Sequence, residues 1–186
     1  MKIIKVEPIA PAISITWMIG SRCNYACSYC PSELHDNTSA HPDLETLKLA
    51  WQNFYNQTCN TGLPYKISFT GGEVTANRSF LPLVEHLRNN FVIEQIVVTT
   101  NGSASTNYYL QLAQLVDAIS FSTHSEFWDE DKFFQTVIAV NAVMTRPAKS
   151  CHVNIMDETW NRENFPRYQR LLTKHDVSHS INLIHD

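Results

Sequence analysis

YKISFTGGE, residues 65–73, carries a pattern that recurs along this chain: Ile67 and Phe69 alternate with Ser68 and Thr70, and two glycines and a carboxylate follow. Such alternation is the period of a strand with one apolar and one polar face. Five more strand-like runs accompany it: ISITWMI (13–19), IEQIVVTT (93–100), AISFSTH (118–124), SCHVNIM (150–156) and HSINLIH (179–185). Short strands separated by longer helical runs are the signature of βαβ units around a parallel sheet.

The intervening segments have helical spacing. The first, 42–57, places Leu44, Leu47, Trp51, Phe54 and Tyr55 on one face, with Pro42 at its first position. Helices are also predicted over 79–89, 106–116, 129–145 and 162–174, the last with Pro166 in its first turn. Strands covered by helices on both faces usually read as continuous apolar runs. Here Ser14 shares a face with Thr16, Ser68 with Thr70, Ser120 with Ser122 and His124, and His152 with Asn154. One side of the sheet therefore packs against helices, and the other lines a wet lumen. The expected architecture is α/β: a partial (β/α)6 TIM-like barrel with a parallel six-stranded curved sheet, in a single core domain spanning 1–186.

Composition narrows the function classes. A chain of 186 residues, 44% hydrophobic, can bury one sizeable core. Its net charge of −4 offers no cationic footprint for tracking a nucleic-acid backbone. No apolar run reaches membrane-spanning length, and Glu7, Pro8 and Pro11 interrupt the opening segment, unlike a secretory signal. A cytoplasmic protein is expected, with no nucleic-acid or membrane partner.

Three of the five cysteines, Cys23, Cys27 and Cys30, fall within CNYACSYC at 23–30. In a reducing compartment such a cluster binds metal or does redox work rather than forming disulfides. Cys59, Cys151, His35 and His41 keep a four-ligand zinc site open on count alone. Zinc modules, however, usually bring two Cys-x-x-Cys-like pairs, whereas a compact triple reaches three corners of one iron-sulfur cube and leaves the fourth iron open. Cys59 and Cys151 read as buried, unreactive thiols, too few to hold a second cube.

The stretch C23-N-Y-A-C27-S-Y29-C30 resembles the CxxxCx(aromatic)C signature of the radical S-adenosylmethionine (radical SAM) superfamily. That resemblance implies a [4Fe-4S] cluster on Cys23, Cys27 and Cys30, with SAM chelating the remaining iron. It further implies that Gly71, Gly72 and Glu73 correspond to the family's Gly-Gly-Glu motif at the SAM amino group. Two glycines let backbone pass close to a ligand, and a carboxylate suits an ammonium. Asn101 lies in a T-N-G ending like the family's, Ser122 and His124 fall at polar SAM-contact positions, and Asn154 and Met156 face SAM from strand five. Tyr29 would pack beside the adenine. No catalytic residue beyond these is identified.

The implied activity is reductive cleavage of SAM to methionine and a 5'-deoxyadenosyl radical, which abstracts a hydrogen atom from a peptide or small polar substrate. An electron donor such as flavodoxin or ferredoxin would supply the cluster. His35, Glu33, His41 and Asp36, in the loop after the cluster, are candidates for lining the entrance. Two other classes stay open: an activase that installs a glycyl radical on a partner enzyme, and a non-catalytic iron-sulfur or zinc module.

Overall fold

The computed structural model describes residues 11–31, 35–145 and 149–184. Glu33 and His185 lie outside the described residues. Six strands, β1 (Ile13–Met18), β2 (Tyr65–Thr70), β3 (Ile93–Thr100), β4 (Ala118–Ser122), β5 (Ser150–Met156) and β6 (Ser178–Asn182), form one sheet in sequential order. Every neighbouring pair is parallel. β1 and β6 each pair on one side only, so the sheet stays open, as a partial barrel does.

Between the strands run α1 (Leu44–Thr58), α2 (Phe80–Asn90), α3 (Thr106–Leu115), α4 (Glu130–Val143) and α5 (Phe165–Lys174). Side-chain caps set several of their starts. The Asp43 carboxylate accepts from Thr46 N at 2.7 Å, and Asp129 accepts from Lys132 N at 3.1 Å. A cap residue has non-helical backbone, so Pro42, expected at the first helical position, lies ahead of the helix instead. Likewise the fifth helix is shorter than 162–174: residues Thr159–Asn164 wind as a 3-10 turn and the α-helix begins at Phe165. The predicted strands ending at 19, 124 and 185 are overlong: the ladders stop at Met18, Ser122 and Asn182, while Ile19, Thr123 and His124, and Leu183 and Ile184 continue a strand-like sequence beyond them.

The strand register puts two kinds of side chain on opposite faces. Ile67, Phe69, Ile96, Val98, Ile119, Phe121, Val153 and Ile155 are buried against Trp51, Leu83, Leu87, Tyr109, Leu112, Val137 and Leu172 of the helices. The other face carries Thr16, Ser68, Thr99, Ser120, His152, Asn154 and Ser180, cross-linked by hydrogen bonds such as His152 Nε2 with Ser180 Oγ at 3.0 Å. The polar lumen read from the alternation is present.

At the opposite end of the barrel Arg88 ties the strands together. Its guanidinium donates to Leu115 O at 2.6 Å and Ile93 O at 2.8 Å and pairs with Asp117, whose carboxylate accepts from Ile96 N at 2.7 Å. Cys151 is buried on the helix-facing side of β5, and burial pushes its thiol up to about 12. Cys59 departs from expectation: it sits half-exposed in the turn after α1, because the helix ends before the chain turns inward.

Phe121 is fully buried, with ring contacts to Tyr109 at 5.0 Å and Phe133 at 6.0 Å. Phe121→Ala is expected to cost about 3–5 kcal/mol of stability in urea denaturation, with secondary structure retained under native conditions.

Candidate active site

The site is built where the strands end. After β2 the chain turns through Gly71, at φ +120°, where a Cβ would lie 2.4 Å from Gly20 O. At Gly72 a Cβ would lie 2.2 Å from Arg22 O. Gly72 N donates to Gly20 O and Glu73 N to Arg22 O, both at 2.9 Å. The double glycine thus admits the chain's own residues 20–22, the lead into the cysteine loop. Sequence reasoning assigned that room to a ligand; backbone occupies much of it.

Further bonds pin the cysteine loop. Cys23 N donates to Asp36 O at 2.6 Å, and Asp36 N to Ser21 O at 2.9 Å. The Asp36 carboxylate accepts from Ser39 Oγ, Ser39 N, Thr38 N and Ser21 Oγ, which hold it well below the usual carboxylate range. Asp36 is therefore a loop organiser rather than a lining group. Asn101 Nδ2 donates to Asn24 Oδ1 at 3.0 Å and lies 3.9 Å from Cys23 Sγ. On the other flank Ser28 N donates to Glu126 Oε2 at 2.9 Å.

Cys23, Cys27 and Cys30 all face one cavity of about 360 Å³. Tyr29, Gly71, Gly72, Glu73, Asn101, Ser122, His124 and Met156 line it too, so of the residues expected to contact the cluster or SAM only Asn154 does not. Asn154 lies deeper on the polar face, donating to Ser120 Oγ at 2.9 Å. Of the entrance candidates His35 reaches the cavity, whereas His41 lines a separate groove with Arg22 and Arg78.

Burial pushes all three thiols up, Cys27 to about 12. Reactive cysteines sit in electropositive surroundings that lower their pKa. These three are the reverse, so bare thiol redox chemistry fits poorly, whereas a bound metal centre would supply the positive charge that deprotonates them. Among the described residues no three His, Cys, Asp or Glu side chains converge on a single-ion position. A tetrahedral zinc would need thiolates roughly 4 Å apart around one point; here they surround a space.

One buried carboxylate, Glu73, lines that space, and a second lies behind Tyr29. Glu73 is 3% exposed. Its Oε1 accepts from Thr75 N at 2.9 Å and from Thr75 Oγ1 and Thr100 Oγ1 at 2.7 Å, and Oε2 from Asn101 N at 2.6 Å. Burial raises its pKa while these donors oppose the rise. Oε2 alone keeps spare acceptor capacity toward the cavity.

Sequence reasoning missed the second carboxylate, Glu158, which is wholly buried just after β5. Its one signal was position, two residues beyond Met156 at a strand C-terminal end, where barrel sites gather. Glu158 Oε1 accepts from the Tyr29 hydroxyl at 3.0 Å. The Tyr29 ring stacks on His124, centroids 6.0 Å apart and 13° between planes. Burial drives the His124 pKa down to about 4, leaving the imidazole neutral at pH 7.

Glu73→Gln would turn an amide donor toward either the Thr75 and Thr100 hydroxyls or Asn101 N–H. We expect a loss of about 1–3 kcal/mol, read by urea denaturation.

Known proteins echo this arrangement. A family model described as the Radical SAM superfamily matches residues 17–139. The GTP 3',8-cyclase of Pasteurella multocida is 37% identical over 83 residues, 43% of this chain and 23% of that protein. The GTP 3',8-cyclase of Photorhabdus laumondii is 26% identical over 144 residues, 72% of this chain and 42% of that protein. This chain thus spans less than half the length of either. In fold it resembles Streptococcus suis SuiB bound to precursor peptide SuiA, with a TM-score of 0.70 at 15% identity over 95% of this chain and 40% of that one. SuiB bound to S-adenosylmethionine superposes with a TM-score of 0.68 at 14% identity, over 95% of this chain and 40% of that one. With its three-cysteine cavity on an open six-stranded barrel and a family match covering most of its length, the chain belongs to the radical SAM superfamily, enzymes that use a [4Fe-4S] cluster and S-adenosylmethionine.

Proposed function

We propose that Cys23, Cys27 and Cys30 hold a [4Fe-4S] cluster in this cavity, that SAM occupies the fourth iron, and that residues 1–186 form one radical SAM core domain. The carrying observation is the donor set: three thiols from one loop face a shared space of about 360 Å³ without converging on a single ion. Among the described residues one contiguous hydrophobic core supports the single domain. Bound there, the cluster and SAM supply a 5'-deoxyadenosyl radical from one electron, and a flavodoxin or ferredoxin is the donor we propose.

The chain's own residues bind and shield. Glu73 Oε2 is the remaining acceptor for the SAM ammonium, and Ser122, Asn101 and Met156 border the same cavity. Asn154 acts one layer below, keeping Ser120 and Ser122 oriented. His124 is neutral and stacked on Tyr29, so this pair forms a wall that excludes water rather than a charged contact.

The lumen supports one reading of the substrate class. Its described face is rich in hydroxyls and amides, and its single lysine, Lys66, is engaged by Glu94 at 3.0 Å. Such a surface suits a peptide or small neutral polar molecule. The relatives named GTP 3',8-cyclase bring a nucleotide to mind, but among the described residues no unengaged lysine or arginine on this face would meet a triphosphate. We place the enzyme in the cytoplasm, where its thiols stay reduced before assembly; no helix among the described residues is long and apolar enough to cross a membrane.

Anaerobic reconstitution with iron and sulfide, followed by SAM and dithionite, tests this. We expect an iron-sulfur chromophore and 5'-deoxyadenosine, both lost in Cys27→Ala. Strong zinc binding without an iron chromophore would instead establish a structural module.

A further inference from the structure

Glu158 is the least explained group in the protein. It is fully buried, yet none of the ion pairs among the described residues includes it. Burying an unpaired carboxylate is costly unless hydrogen bonds offset the lost hydration. Here Ser125 N lies 3.0 Å from both Oε1 and Oε2, and the Tyr29 hydroxyl donates to Oε1 at 3.0 Å. Glu158 thereby joins three strand ends: its own after β5, Ser125 after β4, and Tyr29 within the cysteine loop that follows β1.

The Tyr29 hydroxyl has one proton and several neighbours. His124 Nδ1 is 2.5 Å away, and the same nitrogen lies 3.5 Å from Cys27 Sγ, which brings the sulfur to the neighbourhood of the hydroxyl. A carboxylate can only accept, so the hydroxyl proton points to Glu158. The Tyr29 oxygen then accepts, and His124 carries its hydrogen on Nδ1, the nitrogen that also lies 3.5 Å from Cys27 Sγ. One buried charge thus sets the direction of every hydrogen bond in the chain Glu158–Tyr29–His124–Cys27.

Resting on the cluster assignment made above, we propose that Glu158 is a positioning residue that aims the Tyr29 hydroxyl away from the Cys27 sulfur and fixes the His124 tautomer beside it. Hydrogen bonds to cluster sulfurs and nearby charge tune reduction potential. Losing the carboxylate frees the hydroxyl to turn onto Cys27 Sγ, and both the new bond and the missing charge make the cluster easier to reduce.

The test compares the full chain with Glu158→Ala, Glu158→Gln, Tyr29→Phe and the Tyr29→Phe/Glu158→Ala double variant, each reconstituted anaerobically with iron and sulfide. Iron per chain, the electron paramagnetic resonance spectrum of the reduced cluster and its midpoint potential are recorded. Glu158→Ala is expected to keep its iron, shift the potential upward and change the spectrum. Glu158→Gln, which preserves shape and serves if the alanine variant does not fold, shifts the potential the same way by less. In the Tyr29→Phe background the shift from Glu158→Ala shrinks, since no hydroxyl remains to redirect. A cluster-bearing Glu158→Gln with the parent's potential and spectrum overturns the proposal, as does a shift of equal size with and without the Tyr29 hydroxyl. A parent chain that takes up no cluster overturns the underlying assignment instead, and this proposal with it.

Discussion

The contact on which the rest depends is backbone against backbone: residues 20–22 lying across Gly71 and Gly72. Two peptide hydrogen bonds of 2.9 Å join the segments, and neither glycine position has room for a Cβ. This seats the start of the cysteine loop on the rim of β2, directly above Glu73. Asp36 then fastens the loop from outside and Asn101 from the β3 side, so Cys23 is held by three neighbours before any ligand arrives. Cys27 and Cys30 are steadied from the far side, through Ser28 on Glu126 and Tyr29 on Glu158. A preorganised trio of this kind lowers the ordering cost of binding a large inorganic group.

Electrostatics around the cavity are as specific as its shape. Buried Glu73 lines it, buried Glu158 sits one side chain back against the Tyr29 hydroxyl, and no lysine or arginine lines it among the described residues. Each carboxyl group is held by hydroxyls and peptide N–H donors. The pocket thus carries acceptors and no fixed cation among the described residues, which suits a ligand carrying an ammonium and a sulfonium. The thiols, desolvated and raised in pKa, add more negative charge only when a metal centre takes their protons.

Much of this was legible in sequence because two periodicities were clean. Ile67 and Phe69 against Ser68 and Thr70 announced both the strand and its polar side, and the helical faces built on Trp51, Leu83, Leu112, Val137 and Leu172 are the ones buried. Spacing brought the cysteines into view, and the family resemblance, read at the strand ends, pointed to Glu73 and His124. What stayed hidden depends on the third dimension. No local pattern says that Gly72 makes room for Arg22 O, or that Tyr29 stacks on His124, ninety-five residues away, and bonds Glu158, one hundred and twenty-nine away. Cys59 was misjudged because composition ranks cysteine as buried on average, whereas its exposure follows from where α1 stops.

The central claim is that three thiolates and no fourth cysteine hold the metal group, and cysteine-resolved alkylation measures it directly. Apo and reconstituted chains, treated with a thiol reagent under nitrogen and mapped by mass spectrometry, should differ at Cys23 and Cys30, the accessible members of the trio. Half-exposed Cys59 should label in both states and buried Cys27 and Cys151 in neither. Labelling of Cys23 or Cys30 at the same rate with and without iron and sulfide, or protection of Cys59 on reconstitution, would contradict the account.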